Sequence, residues 1–307
     1  MANKIPYSIN RQISLLKQRG MLFYDEQHAY QILSSISYYR LKGYWWDLQE
    51  DTVFHKFKAN IYFEDIVARY NFDRQLRIIL FDAIERIEIA LRTKMIYHLS
   101  MSYGSLWYLN PNLFENHKLP SDQSITIHQN TINTLKKEFN RSQEIFIKDQ
   151  RKRYPNLEAD SWKILEVASM GTLSKLYKNL NHQLPEKSLI SNEMGLNFHN
   201  ELSSWLESVT YLRNIIAHHS RLWNRSMVKI PIQEINNPKS PWLNYPLLPV
   251  QIKKPFLIIT TMIYLSNEVT PKHQLKDKII NLFDSTSNIP IYKLGFLNNW
   301  QKHPIWN

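Results

Sequence analysis

The chain has 307 residues, of which 43% are hydrophobic and 21% are charged, and this balance excludes an intrinsically disordered protein. It has no cysteine, which excludes disulfides, thiolate metal ligands and a thiol nucleophile. The longest apolar run, residues 256–265, is about half the roughly 20 residues that a membrane span needs. The first residues lack the apolar stretch of a signal peptide. We therefore expect a cytoplasmic protein with no membrane contact, no metal and no cofactor.

The net charge of +11 is the most unusual compositional feature. Such an excess suits a polyanionic partner, because each neutralised phosphate releases counterions. The alternative is that the charge only serves solubility. The 9 Trp and 17 Tyr residues belong mostly in a core, but some of them can stack on unpaired bases.

The N-terminal segment predicts two short helices. Ile9, Ile13 and Leu16 share one helical face, Ser8 is a candidate N-cap, and Gly20 is a candidate stop signal. A second helix is predicted from Asp25. The pair resembles a helix-turn-helix, but the intervening segment is longer than the usual three or four residues. A small helical module is therefore favoured over a DNA reader, and DNA is not an expected partner.

The clearest periodicity predicts one long helix that begins near Phe63 to Asp65 and ends before Gly104. Spacings of three and four residues mark its apolar stripe. The stripe consists of Leu80, Ile84, Ile87, Leu91 and Met95.

The remainder of the chain also favours helices, since only 6 glycines are available for tight turns. Residues 105–122 and the proline-rich stretch 231–255 are predicted to be irregular, and the basic stretch 148–155 an exposed connector. The predicted helices cover residues 124–139, 161–167, 172–180, 199–218, 256–267 and 274–283. We expect an all-α fold with three segments: an N-terminal module (1–58), a central helical domain (59–230), and a connector with C-terminal helices that pack on it (231–307).

One predicted helix carries an unusual cation. Leu202, Leu206, Val209 and Ile216 form an apolar stripe, and Arg213 falls within it. A buried guanidinium is costly without a partner, so Arg213 is expected in an ion pair, at a subunit interface or in a site. Glu85 or Glu88 can pair with it if this helix packs antiparallel to the long one.

Asn214 and His218 lie four residues apart on one face, beside Arg213. An imidazole can take and return a proton near pH 7, an arginine can stabilise charge on a phosphate, and an amide can orient either partner. Together they suit attack of a ribose 2′-hydroxyl on its own phosphate, which needs no metal and excludes DNA. Most such triples in helices are structural, however, so the residues alone leave the site open. His218 and His219 point about 100° apart and cannot clamp one metal ion.

The string RNIIAHHSRLWNR resembles the signature of the Abi-like (AbiD/AbiF) abortive-infection family. It also contains the R-x4-H core of HEPN ribonucleases, as Arg213 and His218. Other segments resemble the same family in the same order along nearly the whole chain. They include RQISLLKQRG, ISYYRLKGYW, IVARYNFDRQLRIILFDAIERIEIALRTKMIYHL, MGTLSKLYKNL and GFLNNWQKHPIW.

The resemblance implies a HEPN-like helical bundle and a toxin-like, metal-independent endoribonuclease of phage defence. It implies that Arg213, Asn214 and His218 are catalytic, and that RNA is left with a 2′,3′-cyclic phosphate. With one motif per chain, it also implies a homodimer, and some relatives are associated with a small structured RNA. The alternatives are a non-catalytic RNA-binding component of a ribonucleoprotein and a helical protein-interaction module.

Further RNA contacts are predicted from basic residues around the motif and in two other segments. For each of them the alternative is a solvated surface or a structural role. The predicted contacts are His219, Arg221, Arg225, Arg40, Lys148, Arg151, Lys152 and Arg153. Trp223 is predicted to anchor the helix end in the core, with base stacking as the alternative, and the aromatic cluster at 38–46 is predicted mainly to pack between segments.

Overall fold

Three short helices open the computed structural model, which describes residues 5–307. The Ser8 hydroxyl accepts the backbone N–H of Arg11 at 3.3 Å, and Asp25 caps the second helix in the same way. Gly20 has a φ of +92°, which stops the first helix. The predicted caps and stop signal are confirmed. The helices are α1 (Ile9–Gln18), α2 (Glu26–Ser35) and α3 (Tyr38–Trp45).

Strands are confined to two small antiparallel pairs. One pair links α3 to the long helix, and the other precedes the fifth helix. Their strands are β1 (Gln49–Asp51), β2 (Lys56–Phe57), β3 (Lys118–Leu119) and β4 (Asp122–Thr126). With these exceptions the regular secondary structure of residues 5–307 is helical, so the predicted all-α class is confirmed.

The long helix α4 (Phe63–Tyr103) has 41 residues and is about 60 Å long at 1.5 Å per residue. Both of its predicted ends are confirmed, and all five residues of the predicted stripe are buried. Three polar residues, Asp73, Arg77 and Arg92, are also buried along it. Because α3, α9, α10, α12 and α13 all pack against α4, this helix is the axis of the fold.

Six helices form the middle of the chain, and two of them differ from the sequence-based prediction. The prediction of a connector at 148–155 is wrong, because residues 148–153 form most of a helix. An ion pair between Arg153 and Asp149, four residues apart, joins two successive turns of this helix at 2.7 Å. The helix that begins at Pro185 was not predicted, since its sequence is polar and weakly periodic. The six are α5 (Ile127–Arg141), α6 (Ile145–Arg153), α7 (Ser161–Ile164), α8 (Met170–Asn179), α9 (Pro185–Glu193) and α10 (His199–Ala217).

The C-terminal part is irregular over 231–248, as predicted, but the predicted irregular stretch 231–255 also contains a short helix, α11 (Pro249–Ile252). The helices α12 (Pro255–Val269) and α13 (Leu275–Ser285) follow. From Pro255 to Ser266 every residue of α12 is buried, against α4 and α10 among others. The longest apolar run of the sequence is therefore a central core helix. Among residues 5–307, no helix is long and apolar enough to cross a membrane.

The buried apolar residues, except Ile147 of α6, form one contiguous cluster from Ile13 to Trp306. The cluster runs through all three predicted segments, and their boundaries remain a prediction. Within this cluster α10 packs against α4, so the packing predicted for these two helices is confirmed.

Candidate active site

Helix α10 buries its apolar stripe and exposes its C-terminal end. Leu202, Leu206 and Val209 are fully buried, and the helix packs on α8, α9, α12 and α4. Near the end of the helix the pattern changes, since Asn214 and His218 are exposed. The motif therefore starts on a buried helix and ends at the protein surface.

Arg213 is half-buried and lies near Glu88 of α4. Glu88 accepts a hydrogen bond from Arg92 at 2.9 Å. Burial raises the pKa of Glu88, and the charges of Arg92 and Arg213 oppose that shift. Of the two carboxylates considered as partners of Arg213, Glu88 is thus its electrostatic neighbour, whereas Glu85 is exposed.

The Arg213 guanidinium is also close to the next residue of the motif. Its Nη1 lies 3.5 Å from Oδ1 of Asn214, at the outer limit of a hydrogen bond. This contact leaves most of the five guanidinium N–H donors free for a ligand. The Asn214 amide oxygen is therefore a neighbour of the guanidinium, and the catalytic role predicted for Asn214 remains a prediction.

His218 closes the helix, and His219 turns the chain away from it. The backbone N–H of His218 donates a hydrogen bond to Asn214 O at 3.1 Å, and the backbone N–H of Ser220 donates one to Ile215 O at 2.9 Å. His219 between them has a φ of +53°, the left-handed conformation that usually needs glycine. The two histidine side chains therefore leave the backbone in different directions, and His219 carries strain of about 1–2 kcal/mol.

A buried carboxylate on α4 anchors the turn that follows. Asp73 accepts the backbone N–H groups of Leu222 at 3.1 Å and Trp223 at 2.7 Å. It also accepts the Tyr44 hydroxyl at 2.8 Å and Arg77 Nε at 3.2 Å. Burial raises the pKa of Asp73, and the hydrogen bonds from Tyr44, Arg77 and Trp223 oppose the shift. Asp73 holds the motif turn to α3 and α4.

The sequence analysis did not identify Asp73. The available signal was an aspartate between Phe72 and Leu76, on the apolar stripe of α4, four residues before Arg77. A carboxylate in that position is expected to have buried donors.

Trp223 is fully buried, as predicted, and the alternative of base stacking is wrong. Its ring packs edge-on against Phe72, with centroids 6.1 Å apart, and the Arg69 guanidinium lies 5.3 Å above it.

The aromatic cluster at 38–46 consists of buried and exposed side chains. Tyr44 and Trp45 are buried, whereas Tyr39 and Trp46 are 74% and 50% exposed.

The predicted RNA-contacting arginines near the motif make contacts within the turn. Arg40 Nη1 donates to His219 O at 2.8 Å. Arg221 is half-buried and donates to Trp223 O, and Arg225 Nε donates to Arg221 O at 2.7 Å. Arg221 also lies across Gly43, where a Cβ atom would come within 3.0 Å of its Nε. These arginines hold the turn, and their RNA contacts remain a prediction.

The four basic residues of α6 lie on a different helix from the motif, packed against α7. Lys148 and Lys152 are exposed. Arg151 is half-buried and donates to the carbonyls of Asn140 and Ser142, the latter at 2.7 Å. Arg153 pairs with Asp149, as described above. In the part of the chain that the structure describes, no group of three or more His, Asp or Glu residues is arranged to hold a metal ion.

Fold and site together define a helical protein with one R-x4-H constellation at the exposed end of a core helix. The family model described as Abi-like protein matches residues 31–224, well over half of the chain, and the match ends within the motif turn. The chain belongs to the Abi-like family, and this membership implies a role in abortive infection, a defence against phage. No curated protein and no solved structure matches the chain.

Proposed function

We propose that this Abi-like protein is an endoribonuclease with Arg213, Asn214 and His218 as its catalytic residues. The observation that carries the proposal is the placement of these three residues. Half-buried Arg213 and exposed Asn214 and His218 lie together at the C-terminal end of a helix whose apolar stripe is buried, and the turn after them is fixed by a buried carboxylate. Reacting groups held by a rigid shell of this kind are what phosphoryl transfer requires.

The reaction follows from the chemistry of the three side chains. Neutral His218 removes the proton from a ribose 2′-hydroxyl, and the 2′-oxygen attacks the adjacent phosphorus. The bond to the 5′-oxygen breaks, and that oxygen takes up a proton from an imidazolium. Arg213 stabilises the negative charge on the phosphate oxygens, and Asn214 orients the ribose. The products are a 2′,3′-cyclic phosphate and a 5′-hydroxyl, and DNA, which lacks the 2′-hydroxyl, is not cleaved.

We place the site at a two-fold homodimer interface. Near the motif, α4 exposes Ile78 and Phe81, which are 55% and 44% accessible. Ile78 and Phe81 line a groove of about 620 Å³ whose other side includes Ala217 and His219. An exposed apolar surface next to a site is typical of a protein–protein contact. In such a dimer two His218 side chains face one cleft, so one can act as base while the other acts as acid.

RNA affinity in this proposal comes from arginines and lysines around the cleft and on α6. Lys148 and Lys152 are free to contact phosphates, and Arg40 has guanidinium donors beyond the one that it gives to His219 O. The activity is toxin-like, and a small structured RNA that occupies the same basic surface would restrain it.

The test is an incubation of purified protein with end-labelled RNA in EDTA. We expect products with 2′,3′-cyclic phosphate and 5′-hydroxyl ends. His218→Ala should lower the rate at least about a hundredfold, since a lost acid–base group typically costs that much or more. His28→Ala, at an exposed histidine of α2, is the matched control and should cleave like the parent.

Two results overturn the proposal. One is cleavage at the parental rate by well-folded His218→Ala. The other is tight RNA binding by the parent without any cleavage, which supports the rival function, a non-catalytic component of a ribonucleoprotein.

A further inference from the structure

A second groove, of about 830 Å³, lies on the N-terminal module, outside the motif. Its walls are the segment before α1, the helix α1 and the first half of α3. The lining side chains that matter here are Tyr7, Arg11, Arg19, Tyr38, Tyr39 and Lys42.

The groove is positively charged. Arg11, Arg19 and Lys42 line it, and no aspartate or glutamate of the described chain does. None of the three cations forms an ion pair with a carboxylate among residues 5–307. Arg19 Nη1 donates instead to the Tyr38 hydroxyl at 2.8 Å. Unneutralised cations on one concave surface favour a polyanionic ligand.

The same groove presents aromatic rings to solvent. Tyr39 is 74% exposed and Tyr7 is 41% exposed. The cations lie over these rings: the Arg11 guanidinium is 4.0 Å from the Tyr7 centroid, and Lys42 Nζ is 6.0 Å from that of Tyr39. Lys42 is also 5.1 Å from the centroid of half-exposed Trp46. Each cation therefore marks a position where a phosphate and a base face can be bound side by side.

From this arrangement we infer that the N-terminal groove binds a single-stranded nucleic-acid segment. Arg11, Arg19 and Lys42 contact its phosphates, and bases stack on Tyr7 and Tyr39. A duplex is excluded from this mode of binding, because its base faces are already stacked. An acidic peptide satisfies the charges but leaves the exposed rings uncovered.

Helix α3 connects this groove to the motif. Tyr39 and Lys42 are three residues apart on its groove face, whereas Arg40, between them, donates to His219 O in the motif turn. The groove does not depend on cleavage at His218, and its binding is measurable in a protein that cuts nothing.

The experiment measures fluorescence anisotropy in the His218→Ala protein. The probes are fluorescein-labelled oligouridylate and oligothymidylate of twelve nucleotides and a twelve-base-pair RNA duplex. The test variant adds Tyr39→Ala and Lys42→Gln. The control adds Tyr292→Ala and Lys272→Gln, which removes one exposed tyrosine and one exposed lysine elsewhere.

We expect the test variant to bind oligouridylate at least about tenfold more weakly, since one lost stack alone costs about 5- to 150-fold. The control variant should bind like its parent. Oligothymidylate should respond in the same way, because stacking and phosphate contacts do not require a 2′-hydroxyl. Duplex affinity should not change.

A third variant keeps the inference testable if the double variant is unstable. Arg11→Gln, which removes the guanidinium that lies over Tyr7, should reduce the slope of log affinity against log salt by about 0.7. Equal binding of oligouridylate by the test and control variants, an unchanged salt slope in Arg11→Gln, or no binding by the parent overturns the inference. If the protein with native His218 binds oligouridylate in this groove yet never cleaves RNA, only the proposed nuclease is refuted.

Discussion

The carboxylate of Asp73 accepts the backbone N–H of Trp223 at 2.7 Å across 150 residues of sequence. The same carboxylate accepts the Tyr44 hydroxyl, so one buried side chain joins α3, α4 and the motif turn. The chain from Arg213 to Trp223 runs opposite to α4, passing from Glu88 to Asp73. The proposed catalytic groups are thus held by residues that lie far from them in sequence, as the groups of preorganised sites generally are.

Loss of Asp73 should be among the most damaging changes to stability. Asp73→Ala leaves the buried N–H groups of Leu222 and Trp223 without an acceptor and removes the carboxylate that pairs with Arg77. We therefore expect the unfolding free energy to fall by about 3–5 kcal/mol. Urea denaturation measures this value. Asp82→Ala, which removes only exposed ion pairs from the same helix, should cost less than about 1 kcal/mol. Similar losses in both variants would show that the anchor is not needed.

His219 should prefer glycine for conformational reasons. At its φ of +53° a Cβ atom is strained, so His219→Gly should be about 1 kcal/mol more stable than His219→Ala in thermal or urea unfolding. Because the His219 side chain leaves the backbone in another direction from His218, both variants should retain cleavage within a few-fold of the parent. Equal stability of the two variants would contradict the strain, and a hundredfold loss of cleavage in both would assign His219 a catalytic role.

The exposed apolar side of α4 should control assembly. Phe81→Glu places a charge in the proposed two-fold contact, so we expect a monomer near 36.8 kDa and loss of cleavage together. Leu189→Glu, at a similarly exposed leucine of α9, should keep twice that mass and full activity. Sedimentation and cleavage assays on the same preparations give both readouts. A parent that is monomeric at all concentrations, with or without RNA, would remove the dimer from the mechanism.

Stability should fall in mild acid, in part through His303. This histidine is fully buried and stacked on Tyr245, and burial lowers its pKa from the ordinary 6.5. Below pH 6.5 the unfolded chain gains a proton that the folded chain resists, so its contribution to stability is present above that pH and lost as the pH falls. The loss is at most about 1.4 kcal/mol per pH unit.

Urea unfolding of His303→Gln between pH 7.5 and 5 tests this linkage. The variant should show a flatter pH dependence than the parent, while His28→Gln, at an exposed position, should follow the parent. An unchanged slope in His303→Gln would assign the acid sensitivity to other groups, such as the buried His128.

The sequence predicted what local periodicity encodes. The ends of α4, the caps of α1 and α2 and the extent of α10 follow from spacing and capping residues. Of the three roles predicted for Arg213, an ion pair is not formed within residues 5–307, where the charge of Arg213 only opposes the rise in the pKa of Glu88, and a subunit interface or a site remains a prediction.

Contacts between distant segments could not be predicted in this way. Helical periodicity says nothing about which carbonyl Arg40 reaches, or that Asp73 accepts two N–H groups some 150 residues away. It also failed for α6 and α9, whose polar sequences are helical because their few apolar residues pack on neighbouring helices.

The buried helix α12 follows the motif in the chain, and this order matters during synthesis. The ribosome completes the stretch from Arg213 to Arg225 before it begins residues 255–269, on which α4 and α10 pack. A growing chain that ends between Arg225 and residue 255 already contains the side chains of Arg213, Asn214 and His218. It still lacks the apolar surface of α12 against which their helix packs. Until residues 255–269 have been synthesised, the growing chain therefore has no packed apolar surface behind the proposed active site.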